Sequence, residues 1–362
     1  YTLGRSSAAS DVYKRQLIDP SGRHNHPKSA PDVAPGATMT ANFGGGRGQP
    51  VGEIAQAGEI APFEWLVRSL RTQGMPSVRN LLVTIFGDSV RPQGVAVSVR
   101  SLATLLEPLE VSERLVRTSL TRLATDEWVV AERIGQRSFY GVHPAAANRY
   151  ERAERRIYHR EARSWDGAWT VAVVDGNVGR PDERAALRRE LAWVGMGSVA
   201  PNVMASPVVD AAAVAEIVAE VGPPGAVHLS TTTTITGASL VADVDLARRA
   251  VPLDDLAARY GELIDWFEPF TTPASIAGLT PAQAFVVRTL LIAAYRRIVL
   301  VDPLLPDELL PQRWNGEQAF GLVGGVYGSL LPATDDHFAD VVETAPGTQP
   351  GGAAAERFAQ PS

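Results

Sequence analysis

Residues 112–142, SERLVRTSLTRLATDEWVVAERIGQRSFYGV, contain two kinds of periodicity on either side of Trp128. Before it, Leu115, Val116, Leu120 and Leu123 recur at helical spacing behind Ser112, a residue type that caps helix N-termini, so a helix is predicted from Glu113 to about Asp126. After it, two short β-prone runs flank Ile134–Arg137, where Gly135 can take the positive φ of a tight hairpin. If the four apolar residues face inward, Arg114, Arg117, Thr118, Thr121 and Arg122 lie on or near the opposite face, and Arg133 and Arg137 flank the hairpin tip.

Upstream, Val78, Leu81, Leu82, Ile85 and Phe86 form an apolar face that ends near Pro92. Ser98 then caps a short helix carrying Leu102, Leu105 and Leu106, stopped by Pro108. Two short helices this close suggest a helix-turn-helix, and the hairpin supplies its wing. A helix of this kind enters the major groove, where a guanidinium fork suits guanine O6/N7 or a phosphate. Between Val78 and Arg160 there are 13 arginines against 9 carboxylates, although the whole chain carries −6. Positive charge is concentrated where a groove would lie.

The 362 residues, 45% hydrophobic, suffice for two or three cores. There is no cysteine, which excludes disulfides, thiolate nucleophiles and Cys-based zinc sites. The greasiest run, Leu290 to Leu300, is broken by Tyr295, Arg296 and Arg297, so no membrane span is expected, and the absence of a secretory-type N-terminus points to the cytoplasm as an expectation.

Residues 1–76 lack sustained periodicity apart from a short helix expected at PFEWLVRSL (62–70), and 1–16 read as a translated cloning adapter, with Met39 and Met75 as candidate starts. The expected division is an extension over 1–76, a winged helix-turn-helix over 77–145 and a solvent-facing linker helix over 146–165. A ferredoxin-like domain of split βαβ order follows over 166–248, with AVHLSTTTT and ASLVADV among its strands, then a helical domain over 249–342 and a flexible tail over 343–362. The fold class is α+β.

Several stretches together resemble the PaaX family, repressors of phenylacetate catabolism: SVRNLLVTIFGDSVRPQG (77–94), ERLVRTSLTRLATDEWV (113–129), RIGQRSFYGV (133–142), AERRIYHREARSWDGAWTVAVVD (153–175), LRRELAWVGMGSVAPNV (187–203) and RTLLIAAYRRIVLVDPLLPDELLPQRWNG (288–316). The resemblance runs in order from about Ser77 to Asp340. It implies a winged helix, a middle domain akin to a small CRISPR-associated endoribonuclease, and a helical C-terminal domain. It also implies a homodimer on palindrome-like double-stranded operator DNA, released by phenylacetyl-CoA or a related acyl-CoA. Ala293 and Ala294 depart from the family's His and acidic residue, as Val251 and Pro252 do from its Trp-Asp pair.

For the effector, Arg296, Arg297 or Arg313 would meet an acyl-CoA phosphate while Tyr295 and Trp314 cover the apolar part. The bland alternative, and the favoured one, pairs Asp302 with one of these arginines. An enzymatic rival places a metal-binding carboxylate at Asp175, giving a metal-dependent nuclease. Asp before Gly is more often a turn residue, and it is read so here. The six histidines show no ligand spacing, and no motif implies a cofactor.

Overall fold

The computed structural model describes residues 60–160, 164–233, 241–346 and 357–358. The chain divides into two units, 1–65 and 66–362. Of the first, the described residues form the start of helix α1 (Pro62–Gln73), which lies where a short helix is expected. The rest of the extension, 1–59, lies outside the described residues.

Helix α2 (Val78–Ile85) is capped by Ser77, passes through a π turn at Phe86–Val90 and stops at Gly94, whose φ of 64° only glycine adopts without strain. Strand β1 (Val97–Ser98) leads into α3 (Val99–Leu105), with Ser98 Oγ accepting the Ser101 amide. A 3₁₀ turn at Glu107–Leu109 separates α3 from α4 (Glu113–Thr125), where Ser112 Oγ accepts the Leu115 amide. Strands β2 (Val129–Ile134) and β3 (Arg137–Val142) form the hairpin, and β1 joins β3 to give a three-stranded antiparallel sheet in the order β1-β3-β2. Val116, Leu120 and Leu123 are fully buried against α2 and α3. Leu115 is not: it is 47% exposed, because it sits roughly 100° around the helix from that stripe.

Helix α5 (Ala147–Tyr158) fills the linker position, but it is not a solvent-facing strut. Tyr150, Ile157 and Tyr158 are buried, and Tyr150 meets Trp128 edge-on at 5.3 Å. A helix this short and charged is held by the aromatic side chains on one face; the expected Glu151–Arg155 pair lies on the other, at 3.0 Å.

Next come β4 (Ala168–Val174), α6 (Pro181–Trp193), β5 (Gly197–Ala200), β6 (Val203–Ser206), α7 (Ala211–Val221) and β7 (Val227–Thr233). Their antiparallel sheet has the order β5-β6-β4-β7, the ferredoxin-like arrangement. Ala172, Val174, Leu187, Leu191, Met196, Met204 and Val214 make its core. Of the predicted strand ASLVADV, residues 238–240 lie outside the described residues and Asp243 instead opens helix α8 (Asp243–Ala250), where its carboxylate accepts the Trp169 indole N–H.

The C-terminal helices are α9 (Leu253–Phe267), α10 (Pro273–Ala277), α11 (Pro281–Val299) and α12 (Asn315–Val341). Thr280 and Gln283 form a capping box ahead of α11. No helix among the described residues is long and apolar enough to cross a membrane.

These helices share their interior with α2. Asp88, in the π turn, is buried and pairs with Arg288 of α11 at 2.9 Å and with Arg357 at 2.9 Å, while Tyr158 and Tyr327 donate hydroxyl hydrogens to it. Arg288 also reaches Asp335 and Thr334, and Arg357 reaches Glu154. Burial alone would push the Asp88 carboxyl up; the two guanidinium groups and two phenols hold it below 3.8. The tail does not fray throughout. Arg357 and Phe358 are seated in this interior, with the Phe358 ring against Tyr158, Tyr295, Phe320 and Tyr327.

Candidate nucleic-acid interface and ligand pocket

Helix α4 presents its polar face to solvent: Arg114, Arg117, Thr118, Thr121 and Arg122 are all exposed. Arg117 pairs with Glu113 one turn back at 2.7 Å, in a geometry water screens. The helix is pinned from behind by Arg79 of α2, whose guanidinium meets Asp126 at the C-cap at 2.7 Å. Arg100 is also exposed, near the start of α3, and spacing does not single it out, since one arginine carries no periodic signal.

The hairpin turns through Gly135 and Gln136, with Gly135 at φ 62°. Arg133 and Arg137 are exposed on either side of this turn. Arg133 Nε donates to the Gly135 carbonyl at 3.3 Å, and Arg137 is ion-paired with Glu343. Glu343 belongs to a strap that follows α12 and lines the free edge of β1. Its carbonyl accepts the Ser98 amide, its own amide donates to Ser101 Oγ, and the Ala345 amide donates to the Ala96 carbonyl. The first residues of the expected flexible tail are thus fixed to the small sheet.

A cavity of about 550 Å³ opens where α5 ends against α9, α11 and α12. Tyr260, Tyr295, Trp314 and Phe320 give it aromatic walls, and the Tyr260 ring lies 5.7 Å from Trp314 and 6.4 Å from Tyr295. Its nitrogen-bearing side chains include the guanidinium groups of Arg156 and Arg160 and the imidazole of His159. Of the residues expected to hold an effector, the structure brings Tyr295 and Trp314 here. Arg296 turns away, burying its guanidinium against the Asn80 carbonyl of α2; Arg297 is exposed beside Arg259, and Arg313 is exposed. Helical rotation explains this, because Arg296 and Arg297 follow Tyr295 by 100° and 200°.

Asp302 pairs with none of those three. It accepts from the Tyr260 hydroxyl at 2.8 Å and the Leu304 amide at 2.8 Å, while its carbonyl accepts from Arg156. Burial raises its carboxyl above 3.8, against these hydrogen bonds and the charges of Arg156 and Arg160. Arg156 and Arg160, one turn apart in the charged run, were legible only as a solvated face.

In the middle domain, Asp175 Oδ1 accepts the Asn177 amide at 2.8 Å, the geometry of an Asx turn. Among the described residues no group of three His, Cys, Asp or Glu side chains is placed to hold a metal.

Three family models match in this order: PaaX-like protein over 77–143, PaaX protein central Cas2-like domain over 162–242, and PaaX-like protein C-terminal domain over 251–340. The transcriptional repressor PaaX of Escherichia coli strain K12 is 36% identical over 276 residues, covering 75% of this chain and 86% of that protein. Among solved structures, the uncharacterized protein Rv0674 from Mycobacterium tuberculosis superimposes with a TM-score of 0.50 at 21% identity, over 72% of this chain and 98% of that one. That likeness is one of fold. Three matched segments in the right order, with a repressor aligned across most of both chains, identify this chain as a member of the PaaX family of transcriptional repressors, which are regulators and not enzymes.

Proposed function

We propose that the protein binds double-stranded operator DNA as a homodimer, with residues 77–145 acting as a winged helix-turn-helix whose reading helix is α4. The observation that carries this is the exposed cationic face of α4 beside an arginine-tipped hairpin. Arg114, Arg117, Thr118, Thr121 and Arg122 face the groove, and Arg133 and Arg137 approach phosphate or the minor-groove edge. At Arg137 an incoming phosphate competes with the Glu343 carboxylate.

Arg114 lies at the centre of this face. Its replacement by alanine is expected to cost about 1–3 kcal/mol of binding if the guanidinium reads a base, concentrated at one operator position. If it holds a phosphate, all sequences weaken alike and the salt slope falls by about one. Quantitative mobility shifts at two salt concentrations separate the two, and an Arg114→Ala protein that binds every duplex as wild type does would defeat the proposal.

The regulated genes are those of aromatic-acid catabolism of the phenylacetate type, and the releasing ligand is an acyl-CoA such as phenylacetyl-CoA. The aromatic walls of the α5–α9–α11–α12 cavity suit the acyl ring, and Arg156, Arg160 and His159 suit phosphate or carbonyl oxygens at its mouth. Ligand there sets the orientation of α5, and so a dimer geometry in which the two reading helices no longer match half-sites about 34 Å apart. In thermal-shift measurements, phenylacetyl-CoA at 100 times its Kd should stabilise the native state by about 2.7 kcal/mol. Acetyl-CoA should do less, and the difference should vanish in Trp314→Ala. Equal shifts by both ligands in wild type would exclude an aromatic pocket.

A further inference from the structure

The outward face of α4 carries more aliphatic carbon than its arginines suggest. Leu115, at 47%, is the most exposed large apolar side chain among the described residues. It lies in the first helical turn, where its amide is fixed by Ser112 Oγ at 3.3 Å. One turn and two turns on, the same strip of surface carries Thr118 and Arg122.

The threonines of this face are committed in a particular way. Thr118, Thr121 and Thr125 each donate a hydroxyl hydrogen to the carbonyl four residues earlier, at 2.9, 3.0 and 3.1 Å. Hydroxyls bound so have no hydrogen left for a base acceptor. They meet a ligand with a methyl group and an oxygen that only accepts. Leu115 offers nothing but carbon.

In the major groove only thymine presents an aliphatic carbon, its C5 methyl; the other bases offer ring C–H and hydrogen-bonding groups there. A leucine pressed on the N4 amine of cytosine or the N6 amine of adenine would strip water from a donor and return no acceptor. Residues at the N-terminal end of a recognition helix are those that approach base edges. We propose that Leu115 is a specificity-determining residue, packing on the C5 methyl of a thymine in each half-site. This rests on the DNA-binding role given to α4 above.

The test uses duplexes that the full-length protein enriches from a random pool. Each thymine of the enriched sequence is replaced in turn by deoxyuridine, which removes the methyl and leaves base pairing intact. One thymine per half-site is expected at which the replacement weakens wild-type binding roughly fourfold, the effect of one buried methyl-sized group. Leu115→Ala should bind the unmodified duplex about as weakly and show no further loss at that thymine. Leu115→Met, similar in volume, should keep the methyl sensitivity. Salt slopes should be unchanged in both variants, since no charge is removed.

Wild-type protein that binds its enriched DNA but is indifferent to every deoxyuridine would overturn the assignment while leaving the DNA-binding role intact. So would Leu115→Ala retaining the full deoxyuridine penalty, or losing affinity equally for all duplexes together with its dimeric state. Failure of the wild type to enrich any sequence would remove the DNA-binding role itself.

Discussion

Replacing Asp88 by alanine is expected to lower the stability of the protein by about 3–5 kcal/mol, the usual cost of removing one partner from a buried ion pair. The carboxylate is 3% exposed and faces Arg288, 1% exposed, and Arg357, 6% exposed. Without it, two guanidinium groups would sit beside each other in the interior with Asp335 and Glu154 as their remaining carboxylates. Tyr158 and Tyr327 would lose the acceptor for their hydroxyl hydrogens. Denaturant unfolding of Asp88→Ala measures the loss, and one below about 1 kcal/mol would show that the cluster carries no structural weight.

The cluster also sets an acid limit. The guanidinium groups and phenols around Asp88 hold its carboxyl below the ordinary carboxylate range in the folded chain, so on acidification the unfolded state binds the extra proton first. Its contribution to stability is complete above the pKa of the unfolded chain and is lost as pH falls through the folded one. In Asp88→Asn this component of acid unfolding should be absent.

A chain ended after Pro346 is expected to lose about 3 kcal/mol, although its last sixteen residues read as a tail. The loss has two parts: Arg357 removes a counter-charge from Asp88 and Glu154, and Phe358 withdraws a ring packed on four other aromatic side chains. Arg357→Ala in the full chain should reproduce the first part alone. The effects of Arg357→Ala and Asp88→Ala should combine non-additively, because the two residues share one ion pair. A truncated protein with the melting temperature of the full one would show that Arg357 and Phe358 add nothing in solution.

Local chemistry made much of this architecture legible. Ser98 and Ser112 cap the helices they precede, Pro281 opens α11, and Gly135 turns the hairpin, because each of these effects depends on a few neighbouring residues. Leu115 does not share the stripe because, although apolar and adjacent to Val116, one residue along a helix is a rotation of about 100°. Helix α12 was hidden by Gly321, Gly324, Gly325, Gly328 and Pro332, which lower helix propensity; packing against α9 and α11 outweighs that cost. Arg357 was illegible because its partner lies 269 residues away. One signal was available: Asp88 stands between Phe86 and Val90 inside an apolar face, and a carboxylate in such a place requires a cation from elsewhere.

For the candidate sites the division is similar. The exposed cations of α4 followed from helical rotation, since an outward face needs no tertiary information. The cavity did not, because its walls come from α5, α9, α11 and α12, and of the residues expected to hold an effector only Tyr295 and Trp314 line it.

The ionic knot around Asp88 also limits how this repressor can be taken apart. A cut at residue 145, where a modular protein would be divided, leaves Asp88 on one fragment and both Arg288 and Arg357 on the other. The shorter piece would hold a carboxylate without either of its cations, and the longer piece two guanidinium groups left with Asp335 and Glu154 alone. Grafting residues 77–145 onto a foreign sensor therefore calls for transplanting the counter-ions of Asp88 too, or for rebuilding position 88 as a hydrocarbon.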